Sequence, residues 1–170
     1  IIWSCDGLNH DRGSLAYSSP VIAGPICFVT GGYRGPTMAI RLGGKGDVTE
    51  SHRLYRMENS PQSIGTGVVV DGYVYRPNAD GAAIQCIDPQ TGDVKWSHRG
   101  KGGSWGSIVG AGGLLYLTNK KGTTLVFKPN PEKYEEVAVN ELNDSTNATP
   151  AISNGRLFIR TDGYLFGIGK

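Results

Sequence analysis

No apolar run in this sequence lasts more than a few residues, so none approaches the ~20 that a membrane-crossing helix needs. Neither sign of charge is in excess, with 17 Lys+Arg against 15 Asp+Glu. A dedicated nucleic-acid surface needs a clustered basic surplus, and this balance argues against one. Cysteine is scarce: Cys5, Cys27 and Cys86 cannot all pair within one chain and lack metal-ligand spacing. Each lies in an apolar run, where a free thiol packs as a small hydrophobe. His10, His52 and His98 are scattered, and no HExxH or GxSxG pattern occurs. Gly43-Gly44-Lys45-Gly46 lacks the spacer and the hydroxyl residue that a phosphate loop requires. No catalytic residue and no metal ligand is assigned. A helical apolar period is also missing, since no stretch holds one for three turns, and the chain is expected to be all-β.

What is plentiful is glycine, 26 residues set singly or in pairs between short apolar runs, as turns require. The 170 residues suit one domain. The chain opens on Ile1-Ile2-Trp3-Ser4-Cys5, without an initiator Met or a signal segment, which reads as a fragment or a processed chain.

Four segments repeat: Ser18-Ser19-Pro20-Val21-Ile22, Gly65-Thr66-Gly67-Val68-Val69, Gly106-Ser107-Ile108-Val109 and Ala148-Thr149-Pro150-Ala151-Ile152. Their second residues are 47, 41 and 42 positions apart. A glycine-led apolar strand follows each: Gly24–Val29, Gly72–Tyr75, Gly113–Leu117 and Gly155–Ile159. Third strands follow at Thr37–Leu42, Ala83–Ile87, Thr124–Phe127 and Tyr164–Ile168. Half-polar outer strands are expected at Ser51–Arg56, Val94–His98 and Tyr134–Val139. A period in the forties with four short strands per unit specifies a β-propeller. The expected fold is therefore one all-β propeller domain over 1–170, built of four-stranded antiparallel blades at about 17–57, 64–99, 105–140 and 147–170. The last blade breaks off before its outer strand. Residues 1–5 form an outer strand without a blade, with Trp3 where Trp96 stands in its own unit, and are expected to complete that last blade.

The stretch Cys86-x-Asp88-x-x-Thr91-Gly92-x-x-x-Trp96 resembles the A-x-D-x-x-T-G-x-x-x-W signature of PQQ-like, quinoprotein-type propeller repeats, with Cys for Ala. Asp88 and Thr91 are expected to fix the turn through backbone amides, and Trp96 to cover the neighbouring sheet. The resemblance implies rings of seven or eight blades, so two copies of this chain could form one eight-bladed ring, or the chain is a piece of a longer protein. Dehydrogenases of that family carry acidic calcium ligands and commonly a vicinal cysteine pair. This chain has neither adjacent cysteines nor an acidic cluster at its inner strands, so PQQ is not expected and no other cofactor is assigned.

Inner strands of a propeller line its channel, which places Ser19, Thr66, Ser107 and Thr149 as a ring of hydroxyls. Tyr17, Trp105 and Asn147 stand near them, at the channel mouth. These residues could hold a small polar ligand, or the hydroxyls could simply specify how blades pack. The leading reading is a non-enzymatic scaffold or protein- and peptide-interaction module. The resemblance extends to BamB-like outer-membrane assembly proteins and implies a periplasmic or secreted location, protein partners and edge pairing of strands. The alternative is an enzyme-type propeller acting on a sugar or alcohol at the channel mouth.

Overall fold

The computed structural model describes residues 1–12, 15–81, 84–100 and 102–169. Seventeen strands follow in chain order. β1 is Trp3–Ser4. The first blade holds β2 (Val21–Ala23), β3 (Ile26–Thr30) and β4 (Thr37–Arg41), then β5 (Gly46–Asp47), and its outer strand β6 (Arg53–Met57). The second holds β7 (Val68–Val70), β8 (Tyr73–Pro77), β9 (Ile84–Ile87) and β10 (Val94–His98). The third holds β11 (Val109–Ala111), β12 (Leu114–Thr118), β13 (Thr123–Lys128) and β14 (Glu135–Glu141). The fourth holds β15 (Ala151–Ser153), β16 (Arg156–Arg160) and β17 (Leu165–Ile168). Each blade pairs antiparallel in chain order, so the expected all-β propeller architecture is the one observed. Ala83, expected in the third strand of blade 2, and Lys170 lie outside the described residues.

Local chemistry sets the rhythm. The hairpins at Asp71-Gly72, Gly112-Gly113 and Asn154-Gly155 have positive φ at both turn residues, 49° and 83°, 59° and 75°, 49° and 70°. Two-residue turns of this hand match the twist of the strands they join. The Cys86–Trp96 stretch is held by its own side chains: Gln90 N–H donates to Asp88 Oδ1 (2.9 Å) and Asp93 N–H to Thr91 Oγ1 (3.2 Å). Tyr55 of blade 1 donates its hydroxyl to Pro89 O at 3.1 Å, clamping this turn onto the neighbouring blade.

The core lies between blades. Tyr75, Ile84 and Cys86 of blade 2 pack against Ile108, Leu115, Leu117, Leu125 and Phe127 of blade 3. Trp96 joins that cluster and donates its indole N–H to Asn130 O at 2.8 Å. Phe28 of blade 1 meets Val74 and Ile87 of blade 2. The opposite face of blade 1, formed by Cys27, Met38 and Ile40, is covered by Trp3 and Cys5.

Two expectations need correction. Residues 1–5 do not complete the chain's own last blade, which has three strands. β1 instead runs parallel to β5, with Trp3 opposite Gly46 and Ser4 opposite Asp47. Ile2 O and Ser4 O accept the amides of Gly46 and Val48, both at 2.9 Å, and Trp3 seats on blade 1's apolar face. Apolar burial and main-chain bonding both hold the segment there. The outer strand of blade 1 also starts later than expected, because Thr49–His52 forms a single helical turn and Ser51 and His52 belong to it.

Candidate functional site

The four hydroxyl residues of the inner strands form a ladder that runs from blade to blade. Ser19 N–H donates to Thr66 Oγ1, Thr66 N–H to Ser107 Oγ, and Ser107 N–H to Thr149 Oγ1, each at 2.9 Å. Blades 2, 3 and 4 thus each lend a hydroxyl oxygen to the amide of the blade before. Three of the four oxygens are engaged in blade docking, and each keeps one O–H to donate. At the ends, Ser19 Oγ and the Thr149 amide have no partner among the described residues.

The backbones are close along this seam. A Cβ on Gly106 would come 2.5 Å from Ala148 O, so no larger residue fits without a shift. A second hydroxyl row, which sequence reading missed, sits three residues upstream of the first. Ser63 Oγ bonds Pro77 O at 2.9 Å, Ser104 Oγ bonds Thr118 O at 2.7 Å, and Thr146 Oγ1 bonds Arg160 O at 2.6 Å. These bonds tie the inner connections of blades 2, 3 and 4 to the end of the second strand of the same blade. The signal was available, because the three residues keep the same offset from Thr66, Ser107 and Thr149.

The aromatic residues expected at the channel mouth are not brought together by a ring contact. Tyr17 meets Tyr33 edge-on at 6.5 Å, whereas Trp105 carries the Lys120 ammonium 4.2 Å above its ring. Both are exposed, as is Asn147. No group of three or more metal-ligating side chains occurs among the described residues. The thiols are free, and burial pushes Cys86 up to about 11 and raises Cys27, so neither is an activated nucleophile. On the outer side, His98 stacks on Tyr134 at 3.6 Å beside a 360 Å³ groove that Arg99, Asn119 and Glu136 also line.

The most distinctive surface is blade 4. Among the described residues β17 has no outer neighbour, which leaves a row of main-chain donors and acceptors without a strand partner. Leu165 pairs with Arg160 where Ile84 pairs with Pro77 in blade 2. Ile84 is fully buried by blade 3, while Leu165 is 72% exposed and its neighbour Tyr164 66%. Among the described residues no blade covers this apolar face.

No protein-family model matches the chain, and no curated protein does either. Solved structures do. The computationally designed Ika4 protein aligns over 99% of this chain and 97% of its own, with TM-score 0.69 and 11% identity. The designed Ika8 protein aligns over 99% of this chain and 49% of its own, with TM-score 0.70 and 12% identity. BamB from Moraxella catarrhalis aligns over 89% of this chain and 56% of its own, with TM-score 0.54 and 11% identity. The chain therefore spans about half the length of Ika8 and of BamB. At these identities the likeness is one of fold.

Proposed function

We propose that this chain is a non-enzymatic propeller scaffold that works by binding protein, and that its docking surface is the free edge and apolar face of β17. The observation that carries this reading is the 72% exposure of Leu165 at a position that is fully buried in blade 2. An added strand would satisfy the free main-chain groups, and an added blade would cover Leu165 and Tyr164.

The occupant is a second copy of the chain, closing a two-fold ring of eight blades. Its opening end has what the last blade lacks. Residues 1–4 lie on blade 1, where β1 pairs with β5 alone among the described strands, and Ile1 and Ile2 are exposed. Trp3 covers blade 1 as Trp96 covers blade 3. The free Ser19 oxygen and the free Thr149 amide would continue the ladder across each junction, with the same donor and acceptor types as inside the chain. Matches to one designed protein over its full length and to another over half suit a half-ring unit. The likeness to BamB supports placing the protein in the periplasm or outside the cell.

Light scattering over a concentration series tests the ring. We expect a mass twice the 18.1 kDa of the chain, falling to one chain on removal of residues 1–4. A single-chain mass at every concentration rejects the second copy. If that chain also fails to bind a peptide of sequence Ile1–Cys5, edge pairing, and with it the scaffold reading, is rejected.

A further inference from the structure

Blades 1 and 2 each send an aromatic residue onto the next sheet, and blade 3 does not. In blade 2, Trp96 stands opposite Cys86 on the outer strand, just past a bulge. Traced through the cross-strand pairs, the same place holds Tyr55 opposite Ala39 in blade 1 and Ala138 opposite Val126 in blade 3. Tyr55 donates its hydroxyl to Pro89 O of blade 2, and Trp96 its indole N–H to Asn130 O of blade 3. Both acceptors lie in the turn after the third strand of the blade that is covered. The corresponding face of blade 1 is covered by Trp3. Towards blade 4, Ala138 offers only a methyl group.

The seat that Ala138 leaves open can be located by the same correspondence. Trp96 lies 6.0 Å from the ring of Tyr75 and packs into the cluster that holds Leu115 and Phe127 of blade 3. Leu115 and Phe127 are cross-strand partners, and their counterparts in blade 4 are Leu157 and Ile168. The counterpart of Tyr75 in blade 3 is Tyr116. Tyr116, Leu157 and Ile168 line one pocket of about 260 Å³ between blades 3 and 4, with Ala111 and Ile152 beside them and Arg156 at its exposed rim. Tyr75, Leu115 and Phe127 are fully buried where the seat is filled, whereas Ile168 is 42% exposed. An apolar cavity of about 150 Å³ is enough to hold benzene.

We propose that this pocket binds a small planar aromatic molecule carrying one N–H or O–H, of the indole or phenol class. Its ring takes the place of the side chain that Ala138 lacks, against Tyr116, Leu157 and Ile168. The donor repeats what the Trp96 indole and the Tyr55 hydroxyl supply at the other two junctions. The guanidinium of Arg156 is attracted to the face of such a ring. Binding docks blade 4 onto blade 3. The site is independent of a second copy of the chain, because Leu165 and Ile168 are three positions apart on β17 and so face opposite sides of the sheet.

Titration of the chain with indole, followed by calorimetry and by amide NMR, tests the site. We expect saturable binding at one site per chain, with the largest shifts at Ala111, Tyr116, Leu157 and Ile168. The absence of saturable binding, or shifts confined to other blades, overturns the proposal. Ala138→Trp fills the seat from within and should weaken indole binding by about tenfold or more. Ala138→Ser leaves the seat open and should bind indole as the unaltered chain does. If the Trp variant does not fold, Ala138→Phe is the smaller plug, with the same expectation. A folded plugged variant that binds indole as tightly as the unaltered chain refutes the assignment.

Discussion

Ser107→Ala tests the ladder where it matters most. The substitution removes the oxygen that accepts Thr66 N–H at 2.9 Å in a half-buried seam, and leaves that amide without a partner. An unsatisfied donor of this kind costs about 1–3 kcal/mol, and partial access of water to the seam places the expected loss at about 1–2 kcal/mol. The same cut at Thr66 or Thr149 strands a more exposed amide, that of Ser19 or Ser107, and should cost about 0.5–1 kcal/mol. Ser19→Ala removes an oxygen that accepts nothing among the described residues, so in a dilute, single-chain sample it should cost nothing measurable. The order Ser107, then Thr66 and Thr149, then Ser19 is the prediction. Urea unfolding with an unchanged slope reads it, and each kcal/mol should move Tm by about 2–4 °C. A Ser19→Ala loss equal to that of Ser107→Ala in a single-chain sample would refute the open ladder. At concentrations where two copies associate, Ser19→Ala should instead weaken association.

Three further outcomes are expected. Gly106→Ala forces a Cβ to 2.5 Å from Ala148 O and should lower stability by about 1–3 kcal/mol through overpacking, measured by the same unfolding curves. Trp96→Phe keeps an aromatic body but loses the 2.8 Å bond to Asn130 O, for about 1 kcal/mol, while Trp96→Ala should cost several times more. Burial beside Tyr134 lowers the His98 pKa, so the unfolded chain binds more protons than the folded one as pH falls through the ordinary histidine value of about 6.5. This contribution is present above that value and is lost below it, and His98→Gln should flatten that part of a stability–pH profile.

Much of the fold was legible because its determinants are local. The two-residue turns, the apolar strands and the turn at Asp88–Gly92 each carry their signal within a few residues, and repetition at a period in the forties multiplied it. The hydroxyl column was legible for the same reason, but its bonding was not. Whether Thr66 Oγ1 faces the channel or accepts the Ser19 amide depends on how closely two blades approach. That distance is set by Gly65 and Gly106, residues that read in sequence as ordinary turn glycines. The first strand was misplaced because Trp3 fits two sites with the same chemistry. Both the vacant edge of β17 and the bare face of blade 1 would take a strand with an aromatic, and only three-dimensional packing favours the second.

Repetition also shows where to look for what is particular to this chain. Three of the four blades have an apolar pair at the position of Arg76 and Gln85 (Val29–Met38, Leu117–Leu125 and Ile159–Phe166), so fold stability alone would favour an apolar pair in blade 2. Replacing a buried ionic group by apolar residues of similar volume is often neutral or stabilising by about 1–4 kcal/mol. Arg76 therefore serves something other than packing of blade 2, and its bond to Thr37 directs it across the seam towards blade 1. The same reasoning applies to Leu165: the residues at its position in the other blades, Thr37, Ile84 and Thr124, are all buried, so an exposed leucine there is the trace of a missing neighbour.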